Sequence, residues 1–416
     1  MSRRVVVTGV GMVTPLGCSA PESWEGLLAG RSGVGPLTKC ALPGLAPEVS
    51  IAAEVKGFSA EPVIDRKEAR RMDTFIQYAI VATDEAMRSA GFGGIGTVPD
   101  PENTGVIIGS GMGGLVSIME TRDLMEEKGM GRVSPFFIPA SIINLAAGQV
   151  AIRTGAQGPS YAPVSACASS NHAIGEAFHA IQRGDADMMI AGGTEACLTP
   201  ISFAGFAAAR ALASSYDSPE TASRPFDATR SGFVHAEGAA ILVLEELESA
   251  RRRGAPIVAE VLGFGMSGDA FHITAPPENG EGAAHAMRRA LKSAGIAPER
   301  VDYINAHGTS TPVGDLAETR AIRGVFGAHA DRLAVSSTKS MLGHALGGSA
   351  AIEAGVVAFA LREGILPPTI NLRTPDPQCD LDYVPNEARR VPIEIAISNS
   401  FGFGGANTSL VLGRWN

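Results

Sequence analysis

The sequence predicts an α/β protein: buried strands joined through helices that cover mostly parallel sheets. Three observations lead there. Short β-branched runs alternate with longer helical patterns along the whole chain, the signature of βαβ units. Of the 416 residues, 45% are hydrophobic and 19% charged, a globular balance in a chain long enough to bury a large core. Two segments in different halves each run from a serine- and glycine-rich approach into a helix, which suggests an internal duplication.

The expected strands are Arg4–Thr8, Gly105–Gly109, Met188–Gly192, Ala240–Leu244, Ile257–Gly263, Tyr303–Ala306, Ala334–Ser337 and Ile395–Ser398. The first is taken to end in a glycine turn at Gly9. The expected helices are Thr74–Ser89, Ala168–Arg183, Gly282–Ala294, Ala317–Phe326 and Ser349–Arg362. The echo between halves joins a helix opened at Cys167 and closed by Arg183-Gly184-Asp185 to one opened at Gly343-His344 and closed by Arg362-Glu363-Gly364. The boundary is expected near residue 255, giving halves 1–255 and 256–416 after the basic run Arg251-Arg252-Arg253-Gly254. No low-complexity linker separates them, so they are expected to pack as one body.

Charge and composition exclude several classes. A net charge of −9 argues against a general nucleic-acid binder, which needs a basic face. Fifty glycines are scattered through turns and strand ends without a repeat, so collagen-like and linker readings fail. The five cysteines, Cys18, Cys40, Cys167, Cys197 and Cys379, are odd in number and unpaired in spacing, which fits a reducing, cytoplasmic setting better than a disulfide framework. Arg3-Arg4 before Val5-Val6-Val7 resembles a signal peptide start, but Gly9, Gly11 and Pro15 interrupt the apolar run. No window is apolar enough to suggest a membrane span.

The chemistry concentrates in four places. Cys167 lies in Val164-Ser165-Ala166-Cys167-Ala168-Ser169-Ser170, where a small-residue turn enters a helix. Unpaired N–H groups and the partial positive charge of a helix start favour a thiolate, the nucleophilic form; a buried structural cysteine is the plainer alternative. Three more segments each follow a strand: Asn305-Ala306-His307-Gly308-Thr309-Ser310-Thr311-Pro312-Val313-Gly314-Asp315, Ser336-Ser337-Thr338-Lys339-Ser340-Met341-Leu342-Gly343-His344, and Asn399-Ser400-Phe401-Gly402-Phe403-Gly404-Gly405-Ala406-Asn407. Sites in open α/β sheets form at the carboxyl ends of strands, so a thiol, two imidazoles, an ammonium and a glycine-rich loop can converge. Gly109–Gly114 (GSGMGG) mimics a nucleotide loop, but no acidic residue follows where one is needed and no Walker motif occurs. The Cys and His residues lack the paired spacing of a zinc site; no metal and no cofactor are expected.

Taken jointly, these segments resemble the condensing enzymes of the thiolase superfamily, and most closely the β-ketoacyl-[acyl-carrier-protein] synthase II group that elongates bacterial fatty acids. The likeness extends from VVVTGVGMVTPLG to SFGFGGANTSLVL and includes GSGMGG, SACASS, SRPFD, GFGMSGDAFHITAPPENG, NAHGTSTPVGD, SSTKSMLGH and CDLDYVPNEAR. It implies a thiolase-like fold of duplicated βαβαβαββ halves, stacked as a five-layer αβαβα sandwich that forms a homodimer. It implies acyl transfer to Cys167 and malonyl decarboxylation by His307 and His344. Lys339 and Glu353 would form an ionic pair behind them, with Asp315 and Glu318 as further support. Phe403 would gate the site and share an oxyanion hole with the backbone of Cys167. Thr309 and Thr311 would contact the pantetheine arm, and Met112, Phe401 and His272 would belong to the substrate site. Lys67, Arg70 and Arg71 would dock an acidic acyl carrier protein, the expected partner.

The residues suit that chemistry. Thioester exchange needs a thiolate, an enolate oxygen needs N–H donors, and fixed backbone N–H groups suit a tetrahedral oxyanion. Glycines 402, 404 and 405 let the backbone approach closely and Phe403 swing. A type II polyketide ketosynthase using the same Cys-His-His chemistry is the nearest rival. An inactive chain-length partner would lack the cysteine, and a degradative thiolase would carry a second one where SFGFGG has phenylalanines. Lys39–Lys56 carries no motif from which a function follows.

Overall fold

The computed structural model describes residues 3–415. Ten strands form one continuous sheet: β1 (Val5–Val13), β2 (Thr104–Gly109), β3 (Ser160–Tyr161), β4 (Met188–Glu195), β5 (Gly238–Glu246), β6 (Ala259–Gly268), β7 (Tyr303–Asn305), β8 (Ala334–Ser336), β9 (Ile395–Gly402) and β10 (Ala406–Arg414). Their spatial order is β8–β7–β9–β10–β6–β1–β5–β4–β2–β3. Outward from the centre, each set of five runs first, fifth, fourth, second, third. The two sets meet where Val5–Val7 pairs antiparallel with Ala259–Val261.

The sheet is mixed rather than mostly parallel, a correction to the sequence expectation. In each set only the outer pairings are parallel, β2 with β3 and β4, and β7 with β8 and β9. The inner pairings β4–β5, β5–β1, β9–β10 and β10–β6 are antiparallel. The cause is plain in the second set: only residues 403–405 separate β9 from β10, and so short a link permits only a hairpin.

Six helices make the remaining layers: α1 (Thr74–Ser89), α2 (Leu145–Thr154), α3 (Ser169–Arg183), α4 (Glu281–Ala294), α5 (Pro312–Phe326) and α6 (Ser349–Glu363). α1 and α2 cover the outer face of the first strand set, and α4, with α5 against it, covers the second. α3 and α6 lie between the sets, touching strands of both and each other. The result is an αβαβα stack. α6 is buried along Ser349–Leu361; a helix apolar all round belongs in such a middle layer. α3 and α6 end at Gly184 and Gly364 in the left-handed conformation, φ 84° and 65°, which ends a helix at no steric cost.

β1 continues past the expected glycine turn to Val13. A Cβ on Gly9 or Gly11 would lie 2.1 Å from Ala86 O or 2.0 Å from Ala82 O, so these glycines let α1 seat on the strand. The run after Asn407 is a strand rather than the tail of a loop, because it fills the gap between β9 and β6. Lys39–Lys56, unassigned by sequence, is a strap. Ile51–Ala53 pairs with Val34–Pro36, the Lys39 ammonium pairs with buried Glu237, and Ala53 N donates to His235 O at 2.9 Å. Among the described residues no helix is long and apolar enough to cross a membrane.

Candidate active site

The turn that carries Cys167 is built by backbone strain and close contact. Ala166 takes a left-handed φ of 52°, which lifts Cys167 onto the approach to α3. Cys167 precedes the helix by two residues rather than opening it. Gly402 at the end of β9 abuts this turn, where a Cβ would lie 2.4 Å from Ser165 O. Ser400 Oγ donates to Cys167 O at 2.9 Å.

The two histidines arrive from the second half of the chain. His307 follows β7, and buried Glu318 on α5 holds it by accepting from His307 N (2.9 Å) and Gly308 N (2.8 Å). Asn399 Nδ2 donates to the same carboxylate at 3.2 Å. His344 is clamped through its backbone: its N donates to Val234 O at 2.8 Å and its O accepts from Ala236 N at 3.0 Å. Its Nε2 stands 2.9 Å from Cys167 Sγ and its Nδ1 3.0 Å from Ser349 Oγ. The Cys167 sulfur and one ring nitrogen of each histidine all lie within 4.8 Å of one another. The imidazoles cross nearly at right angles, 84°, with centroids 5.4 Å apart.

Behind them Lys339 and Glu353 form a buried ion pair. Burial keeps both His307 and His344 well below the ordinary imidazole value, and the Lys339 ammonium pushes them further; both rings are neutral. The same burial pushes the Cys167 thiol up to about 12, against the pull of Lys339 and of the Phe403 and Cys167 backbone N–H groups. This corrects the sequence expectation of a thiolate at rest: desolvation outweighs the helix start. Burial also pushes Glu353 up to about 7 against Lys339. A thiol and two imidazoles are also a possible metal-ligand set. A fixed ammonium acting on all three disfavours a second cation there.

Cys167, His307 and His344 line a cavity of about 540 Å³ that also takes in Met112, Thr309, Thr311, Phe401, Phe403 and Glu318. Thr309 and Thr311 hydroxyls lie 3.0 Å apart. Asp315 lies below them, accepting from Ser310 N and Phe226 N at 3.1 and 2.9 Å. His272 is the exception: it is exposed and lies outside the cavity lining, two residues from Thr274, which is in it. Its Nδ1 accepts from Thr274 N and Ala275 N at 3.2 and 3.1 Å, so it caps its own loop. Lys67, Arg70 and Arg71 are exposed at and after the short helix Arg66–Ala69, with the Arg71 guanidinium 4.4 Å from the Phe136 ring centroid.

Two contributors escaped the sequence reading. Ser349 looked like an ordinary helix-start serine. Glu195, at the end of β4, is buried and accepts from Ser110 Oγ and from the N–H groups of Gly111, Met112, Gly113 and Gly347 at 2.7–3.1 Å. It ties the Met112 loop to the turn after His344, and nothing in GGTEAC signals that.

Comparison with known proteins agrees with this geometry. Residues 2–250 match the family Beta-ketoacyl synthase, N-terminal domain, and residues 258–373 match Beta-ketoacyl synthase, C-terminal domain. A relative from Synechocystis sp., named 3-oxoacyl-[acyl-carrier-protein] synthase 2, is 50% identical over 99% of this chain and 98% of its own. One of the same name from Coxiella burnetii is 51% identical over 99% of each. Among solved structures, a type II PKS acyl-carrier protein in complex with its ketosynthase superposes with a TM-score of 0.91 at 34% identity, covering 100% of both chains. A beta-ketoacyl synthase from Burkholderia phymatum gives 0.90 at 36%, again over 100% of both. The sulfur and paired imidazoles at the junction of two like-ordered strand sets, together with these matches over both halves, show that the chain belongs to the beta-ketoacyl synthase family.

Proposed function

We propose that Cys167, His307 and His344 carry out the reaction of a 3-oxoacyl-[acyl-carrier-protein] synthase, an acyltransferase that condenses an acyl thioester with malonyl-[acyl-carrier-protein] and lengthens the chain by two carbons. The observation that carries this is the meeting of one sulfur and two neutral imidazoles within 4.8 Å in a cavity large enough for an acyl chain. In the first half-reaction the Cys167 S–H bond breaks toward His344 Nε2. The sulfur attacks the acyl thioester carbonyl, and the expelled carrier thiolate takes up the proton. The backbone N–H groups of Cys167 and Phe403 face the oxyanion. In the second, the malonyl carboxylate leaves as carbon dioxide and its electron pair forms an enolate, whose oxygen accepts from His307 and His344. The enolate carbon attacks acyl-Cys167, and the released sulfur regains a proton from solvent.

The other assignments follow from position. Lys339 adds to burial in holding the imidazoles neutral, Glu353 holds Lys339, and Glu318 and Asp315 fix the backbones of His307 and Ser310. Thr309 and Thr311 suit a polar arm, and Met112 and Phe401 suit an acyl chain. Lys67, Arg70 and Arg71 suit the acidic carrier protein. The two halves divide at residues 255–256, and a homodimer in the cytoplasm completes the reading. Identity of about 50% to the 3-oxoacyl synthases, against 34% to the type II PKS ketosynthase, favours fatty acid elongation over polyketide assembly.

Replacement of Cys167 by Gln tests the mechanism. Condensation should vanish while malonyl decarboxylation continues, because the imidazole pair is intact. Condensation at the wild-type rate would show that the nucleophile lies elsewhere.

A further inference from the structure

The two half-reactions ask opposite things of His344. To accept the thiol proton, Nε2 must be bare, so the neutral ring carries its proton on Nδ1. To donate to an enolate oxygen, Nε2 must hold the proton and Nδ1 must be bare. The group facing Nδ1 decides which tautomer is held. A backbone N–H there would allow only the second form and a carbonyl only the first.

Here the partner is a hydroxyl. Ser349 Oγ lies 3.0 Å from His344 Nδ1, and both residues are buried. The other charged or titratable groups near the ring are Cys167 on the Nε2 side, Lys339, His307 and His235. Among the described residues none of them is hydrogen-bonded to Nδ1. A serine hydroxyl both accepts and donates. Rotation of one C–O bond therefore serves either tautomer at the same distance.

We propose that Ser349 is a positioning residue that lets His344 exchange tautomers between the two half-reactions, accepting from Nδ1–H during acyl transfer and donating to bare Nδ1 during decarboxylation. The inference rests on the role for His344 given above. It goes beyond that role by naming the group that makes one ring competent for both steps. Removal of the hydroxyl should not affect the steps equally. Acyl transfer passes through an imidazolium whose Nδ1–H would be buried without an acceptor. Decarboxylation leaves only an unpaired lone pair.

The test uses the whole enzyme with Ser349→Ala and Ser349→Thr. Acylation of Cys167 is followed by mass spectrometry with an acyl carrier protein donor, and decarboxylation by carbon dioxide release from malonyl carrier protein. In Ser349→Ala, acylation should fall about ten- to hundredfold, the rate equivalent of one unsatisfied buried donor, and decarboxylation by distinctly less. Cys167 alkylation by iodoacetamide at a fixed pH should slow. Ser349→Thr, which keeps the hydroxyl, should restore acylation to within about threefold. Equal losses in both steps, or an alanine variant as active as the wild type, would overturn the proposal. So would a threonine variant as slow as the alanine one while both melt like the wild type. Failure of the wild-type enzyme itself to acylate Cys167 would instead refute the underlying mechanism.

Discussion

Burial and one ammonium together set the protonation of the site. Lys339 lowers His307, His344 and Cys167 together, although burial moves the thiol the opposite way and wins. The signs give a pH prediction. An imidazole held below its ordinary value of about 6.5 stays neutral until the solution is more acid than that. Decarboxylation by the Cys167→Gln variant should therefore stay level from about pH 8 down to about pH 6.5, with its acid limb lower still. Lys339→Met removes the charge, so both ring values rise and the acid limb should move up toward that ordinary value. Cys167 alkylation in the otherwise native Lys339→Met protein should slow, because the thiol loses its nearest cation. An acid limb at the same pH in both proteins would show that the ammonium does not act on the rings. At this scale much was legible in the sequence: a cysteine before a helix and histidines after strands are visible as residue types in context. What was not legible is the balance of desolvation against charge at Cys167. That balance depends on how much protein surrounds the sulfur, which no local pattern reports. Nor does the sequence report that His272 accepts from its own loop at Thr274 N and Ala275 N.

At the scale of elements, close approach decides where glycine is required. The first strand looked interrupted at Gly9 and Gly11, yet it runs on because α1 presses its backbone onto those positions. The propensity against glycine within strands is overridden by the contact it permits. Two substitutions separate a rigid contact from a yielding one. Gly11→Ala would put a methyl 2.0 Å from the backbone oxygen of Ala82, so strand and helix must part. Gly355→Ala in α6 would put one 2.3 Å from Met12 Cε, the free end of a flexible side chain that can turn away. Gly11→Ala should cost about 1–3 kcal/mol or more, read as a lowered unfolding midpoint in urea. Gly355→Ala should cost less than about 1.5 kcal/mol, helped by alanine's better helix propensity. Equal losses would mean that contact geometry does not set the cost. The helices α3 and α6 were legible by their glycine ends and length. The antiparallel inner pairings were not, because strand direction is set by connection and register rather than by composition.

The whole molecule leaves one face unfinished. β3 is a two-residue edge strand bonded only to β2. Its Tyr161 and nearby Val164 are 43% and 55% exposed. The fourteen-residue helix Leu115–Lys128 carries Leu115, Val116, Ile118, Met119, Leu124 and Met125 and buries none of its residues. It packs on the segment Phe137–Ser141, in which Ile138 is exposed, as are the flanking Phe136 and Ile142. An open edge flanked by an apolar patch of this kind is where the proposed homodimer would form, since edge strands pair readily about a twofold axis. The site has a stake in that contact. Met112 lines the cavity yet is 40% exposed, so the cavity reaches the surface there. Tyr161→Arg combined with Val164→Asp should halve the mass seen by light scattering while leaving Cys167 alkylation intact. If the partner closes the pocket, that variant should also lose its discrimination among acyl chains of graded length. In the otherwise native protein, Met112→Phe should shorten, and Met112→Ala lengthen, the longest chain accepted. An unchanged mass would rule out this face as the dimer contact. A halved mass with an unaltered chain-length profile would show that Met112 alone, without the neighbouring copy, sets the depth of the pocket.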